Sequence, residues 1–114
     1  MEAKELRIGN WVYQTIDKKN ITIEVFDIRN IIDGWKSYEP IPLTEERLLK
    51  LGNAEKKRFP DEVDVYDRFR FIWKDAYKYW YVVTIKSKEY LTKIEFVHEY
   101  QNFIFALTGE ELTM

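Results

Sequence analysis

Apolar positions in the first part of the chain follow the two-residue interval of strands. Residues 6–15, LRIGNWVYQT, set Leu, Ile, Trp, Val and Tyr around Gly9-Asn10. Gly and Asn both tolerate positive φ, so that pair predicts a bend or bulge. Residues 21–28, ITIEVFDI, place Ile21, Ile23 and Val25 on one face before Phe26 and Ile28 take over on the other. That change of phase calls for a bulge or for burial on both faces. Asp33-Gly34 lies between apolar flanks and predicts a tight hairpin, with one strand ending near Ile32 and the next starting near Trp35. Pro40 and Pro42 end the extended run.

The spacing then changes. LTEERLLKLGN predicts a short helix in which Thr44 caps the start, Glu45 and Glu46 suit its positive end, and Gly52 closes it. Leu48, Leu49 and Leu51 supply its buried side. Residues 53–64, NAEKKRFPDEVD, are polar with one Pro and read as a loop. VYDRFRFIW (65–73), YKYWYVVTIK (77–86) and EYLTKIEF (89–96) read as three strands joined by short turns, a meander. The last element is a helix with a Gly stop at Gly109. At about 100° per residue, Val97, Tyr100, Phe103, Ile104 and Leu107 gather as a core stripe. His98, Gln101, Asn102 and Phe105 form a second stripe facing away from it. The fold class predicted is α+β: a single domain over residues 1–114 with two groups of antiparallel strands, each followed by a short helix. An SH3-like arrangement of the first strands is compatible with this pattern, which by itself does not fix it.

Composition adds exclusions. With 114 residues, of which 46% are hydrophobic and 17% aromatic, the chain can bury a core, so disorder is not the reading. The absence of Cys removes disulfides and thiolate metal sites. Charges stand where the apolar part of a signal peptide would lie in MEAKELRIGN, and no apolar run reaches membrane-helix length. The expected location is the cytoplasm.

Three blocks carry a resemblance: KELRIGNWVY, YEPIPLTEERLLKLG and VHEYQNFIFALTGEEL. Together they resemble a family of small uncharacterised proteins of prophages and mobile elements in gut anaerobes. Where that family has Gln-Leu this chain has Glu99-Tyr100, and where it has Trp-Leu-Leu this chain has Arg47-Leu48-Leu49; both departures keep helical character. The resemblance implies a phage-related origin and one compact domain. It implies no activity for any residue.

Catalytic and metal chemistry find little to work with. His98 is the one histidine and has no thiol or evident serine partner. Asp61, Glu62, Asp64 and Asp67 match no cation-loop spacing and lack a turning Gly. Four glycines leave little from which to build a phosphate cradle, so neither an enzyme nor a cofactor is expected. Binding is the better-founded class. The stripe of His98, Gln101, Asn102 and Phe105 combines amides with an aromatic, as a protein-contact or self-association surface would. Its alternatives are a solvated face and packing inside the monomer. A second surface is basic and aromatic: residues 66–88 hold Arg68, Arg70, Lys74, Lys78, Lys86 and Lys88 against Asp67 and Asp75, interleaved with seven aromatics from Phe69 to Tyr81. Arg68, Arg70, Lys74 and Lys78 are the candidates there for nucleic acid. A sheet with one aromatic core face and one charged solvent face gives the same pattern without a ligand. The last 26 residues offset this charge with five acids against Lys93.

Overall fold

The structure, a computed structural model, describes residues 6–24, 27, 38–51, 54–56, 61–110 and 112. It is an α+β arrangement with two antiparallel sheets, and it divides into two compact units, Met1–Pro42 with Phe96–Met114, and Leu43–Glu95.

The first unit holds β1 (Trp11–Gln14), β2 (Lys19–Thr22) and β3 (Tyr38–Pro40) in the order β2-β1-β3. Val12 pairs with Ile21 on one side and with Pro40 on the other. Pro40 closes β3, which among the described strands is an edge, a place where proline is tolerated. Leu6, Val12, Ile23 and Tyr38 form the core of this unit, with Ile21 against them. The expected bend at Gly9-Asn10 is present, with Gly9 at φ 99°. The strand expected over 21–28 stops earlier. Ile23 still donates to the Asn10 carbonyl, but the Asp27 N–H then donates to the Glu24 carbonyl, and Asp27 Oδ2 accepts from the Glu24 N–H. A carboxylate returning to the backbone three residues upstream turns the chain out of the strand. The hairpin expected at Asp33-Gly34 lies outside the described residues.

The second unit opens with α1 (Glu45–Lys50). Thr44 Oγ1 accepts from the Arg47 N–H at 3.2 Å, the expected cap, and Leu48 and Leu51 are buried. The sheet that follows has five strands in simple order: β4 (Ala54–Lys56), β5 (Glu62–Val65), β6 (Phe69–Lys74), β7 (Tyr79–Thr84) and β8 (Tyr90–Ile94). The meander is therefore β6-β7-β8, and two further strands extend it. The loop expected over 53–64 is corrected by β4 and β5, which pair Ala54 with Val65 and Lys56 with Val63. Its polar composition hid an edge strand with exposed Glu55 and Lys56, next to a strand whose Val63 and Val65 are fully buried. The segment expected as one strand over 65–73 breaks at Tyr66 and Asp67, both at positive φ, where the Arg68 N–H donates to the Val65 carbonyl. A Tyr in left-handed geometry is uncommon enough to carry no turn signal. Val63, Val65, Phe69, Phe71, Trp80, Val82 and Ile94 are buried, and Trp80 Nε1–H donates to the Leu43 carbonyl at 2.7 Å.

The final helix, α2 (Val97–Thr108), belongs to the first unit. Phe96 cannot accept at its N-cap, but Glu99 Oε1 accepts the Phe96 N–H at 3.0 Å, and the Val97 N–H donates to the Ile41 carbonyl. Gly109, at φ 75°, ends α2 in the left-handed conformation and donates to the Phe105 carbonyl at 2.8 Å. An added Cβ there would meet nothing within 4 Å, so its effect is conformational alone. Gly109→Ala is expected to destabilise the protein by about 1 kcal/mol, read from the shift of a urea unfolding curve.

Candidate interaction surface

The amides of α2 turn out to be internal. Gln101 is 0% exposed, and its side chain makes three hydrogen bonds. Oε1 accepts the Trp11 N–H at 2.8 Å, while Nε2 donates to the Gly9 carbonyl at 3.1 Å and to the Leu112 carbonyl at 2.8 Å. Both donors and the acceptor oxygen of the amide are thus in use. Asn102 Oδ1 accepts from Arg7 Nε at 2.7 Å and from Asn10 Nδ2 at 2.8 Å. Asn10, itself 0% exposed, accepts the Arg7 N–H at its own Oδ1. The Arg7 guanidinium lies 4.1 Å from the centre of the Phe105 ring. Buried amides must be bonded to be tolerated, and here they bind α2 to the bend that leads into β1.

The outward second stripe is accordingly corrected. His98 is buried with its ring stacked on Phe96, centroids 5.9 Å apart, and Asn102 is half-buried. Phe105 alone of the four is exposed, at 40%, while Leu107, expected in the core, is exposed as well. The reason lies on the same wheel. Gln101 stands only about 40° from Val97 and about 60° from Ile104, so it borders the apolar arc, and with His98 buried beyond it the buried arc takes it in. Its polarity moved it to the wrong side.

The sheet candidates are divided among several settings. Arg70 lies opposite Asp64 in the β5–β6 register and bonds it twice, Nε to Oδ1 at 2.9 Å and Nη2 to Oδ2 at 3.3 Å. The hydrogen bond to Asp64 raises the Arg70 pKa above its usual value. Lys78 sits in the β6–β7 turn at φ 59° and bonds Asp75 at 2.8 Å. Lys78 first, and then Trp73 Nε1–H, hold the Asp75 carboxyl below the usual carboxylate range. The pair is charged at neutral pH with or without that shift, and the shift means that it is lost only as pH falls through the lowered value. Arg68 occupies the β5–β6 turn with its guanidinium 5.3 Å from the Phe69 ring centre. Lys74 alone of the four combines an exposed position with the outward face of the sheet.

That face carries residues beyond the four candidates. Tyr79 and Tyr81 of β7 share it with Ile72 and Lys74 of β6 and with Lys93 of β8, as the register requires. Tyr77 stacks on Tyr79 with centroids 5.6 Å apart, and Tyr90 packs on Tyr81 at 4.6 Å. Lys93 and Tyr90 were legible only as the alternation of one strand; their joining this face follows from the β7–β8 register and its bulge at Val82/Val83. Among the described residues no group of three His, Asp or Glu side chains could hold a metal ion, and no helix is long and apolar enough to cross a membrane. Comparison of the chain with protein families, with curated proteins and with solved structures gave no match.

The α2 geometry makes a direct forecast. Gln101→Leu keeps the bulk of the side chain but leaves the Trp11 N–H and the Gly9 and Leu112 carbonyls without it, and should destabilise the protein by about 3 kcal/mol. Phe105→Ala removes an exposed ring and one cation contact and should cost under about 1 kcal/mol. Urea unfolding of the two variants side by side checks the order.

Proposed function

We propose that this chain is a non-catalytic protein-binding module of phage-related origin that acts in the cytoplasm, and that its contact surface is the tyrosine-bearing face of the five-stranded sheet. The observation that carries this reading is the row of Tyr77, Tyr79, Tyr81 and Tyr90, with Tyr77 69% and Tyr90 53% exposed. Tyrosine supplies large, stiff, amphipathic contact area and is enriched where proteins bind one another. The phage-related origin rests on the three sequence blocks. The α2 surface of His98, Gln101, Asn102 and Phe105 contributes less, since Gln101 and Asn102 already serve the fold and only Phe105 presents an exposed ring.

Nucleic acid is the second reading, favoured by the lysines that flank these rings. Two features weigh against it. Tyr79 and Tyr81 already carry Tyr77 and Tyr90, together with Lys93 and Lys74, on rings that bases would need for stacking. Arg70 and Lys78 are neutralised by Asp64 and Asp75.

Affinity capture with the tagged chain from the cells that encode it, with and without nuclease, separates the readings when the Tyr79→Ser/Tyr81→Ser variant is run in parallel. The expected result is a defined protein that survives nuclease and is lost from the variant, whose circular dichroism is unchanged. Material lost on nuclease treatment would shift the function to nucleic acid. Equal capture by the variant would remove the sheet face from the account.

A further inference from the structure

Lys74 and Lys93 lie on the two strands flanking β7, and the register sets Lys74 opposite Tyr79 and Lys93 opposite Tyr81. Neither ammonium stays with its direct neighbour. That of Lys74 lies 5.6 Å from the centre of the Tyr81 ring, and that of Lys93 lies 5.3 Å from the centre of the Tyr79 ring. The two stems lean along the sheet in opposite directions and bring both charges onto the same pair of rings. Both lysines are exposed, and neither has a carboxylate partner among the described residues, whereas Arg70 has Asp64 and Lys78 has Asp75. Glu62 and Asp64 gather on β5 around Arg70, and Glu95 lies beyond the end of β8 with contacts of its own. This half of the face therefore presents two adjacent positive charges between two exposed aromatic ends, Tyr77 beside Tyr79 and Tyr90 beside Tyr81.

We infer that this half of the face receives an acidic, extended segment of a partner protein, an inference that rests on the protein-binding reading above. Alternate side chains of an extended chain are about 7 Å apart, as are Tyr79 and Tyr81 along β7. Two carboxylates in a Glu-x-Glu spacing would thus reach both ammoniums at once, and apolar side chains on either side of them would rest on Tyr77 and Tyr90. The lysines supply the charge complementarity that selects an acidic occupant, and the tyrosines supply the contact area.

Fluorescence anisotropy with the full chain tests this. The probes are a labelled peptide with a Glu-x-Glu centre flanked by leucines, its Gln-x-Gln twin, and an oligothymidylate of similar length. The acidic peptide is expected to bind with a Kd tighter than about 1 mM, at least about tenfold better than its twin, and to weaken with added salt. Lys74→Gln/Lys93→Gln should abolish that preference, and Lys74→Arg/Lys93→Arg should keep it, which separates charge from folding. Equal binding of the twins, no binding of the acidic peptide, or tighter binding of the oligothymidylate overturns the inference. If the partner captured above is held by the Lys→Gln variant but lost by the Tyr→Ser variant, the acidic segment falls and the protein-binding reading stands.

Discussion

The buried amide of Gln101 is the interaction on which the first unit depends. A fully buried polar side chain is tolerated only when its groups are bonded, and this one uses a donor on each of two carbonyls and its oxygen on one N–H. Those three backbone groups come from the entry to β1 and from the tail beyond α2. One side chain therefore ties together segments about ninety residues apart in sequence, and Asn102 repeats the device one position later through Arg7 and Asn10. Gln101 satisfies backbone groups of Gly9 and Trp11 that flank the bend, and Asn102 holds the side chains of Arg7 and Asn10 beside it. The apolar neighbours Val97, Tyr100 and Ile104 supply burial, and the amides supply register.

The second unit reaches its order by a different route. A five-stranded antiparallel sheet in sequence order needs only short turns, and several of these turns place non-glycine residues at positive φ: Tyr66, Asp67, Lys78 and Lys88. The strand alternation then divides the aromatics. Phe69, Phe71 and Trp80 face the core, while Tyr79 and Tyr81 stand with lysines on the other side. Tyrosine fits that outer position because its ring packs on neighbours and lysine stems while its hydroxyl stays wet. The same arrangement lowers the cost of exposing these rings.

Much of this was legible from residue order. Thr44 as a cap, Gly109 as a helix stop, the bend at Gly9-Asn10 and the β6-β7-β8 meander each rest on a local preference that tertiary packing did not oppose. What escaped was non-local. Ala54–Lys56 becomes a strand only because β5 lies beside it, and Glu55 and Lys56 look like loop residues because an edge strand exposes them. Gln101 and His98 read as outward because polarity stood in for position. Only the partner groups at Gly9, Trp11 and Leu112 make the inward placement of Gln101 favourable, and they are invisible to a helix wheel. Likewise, Arg70 and Lys78 count as basic surface in the sequence and as paired charges once Asp64 and Asp75 are in place.

The amides of α2 hold the first unit together through hydrogen bonds to its opening segment and its tail. Native-state hydrogen exchange at the Trp11 amide tests this most directly, because that N–H is bonded to the Gln101 side chain. Exchange as slow as that of the β1–β2 ladder amides is expected, since opening this bond would open the unit. Exchange as fast as that of the exposed turn residues Ile16 to Lys18 would contradict it, and would return Gln101 to the surface.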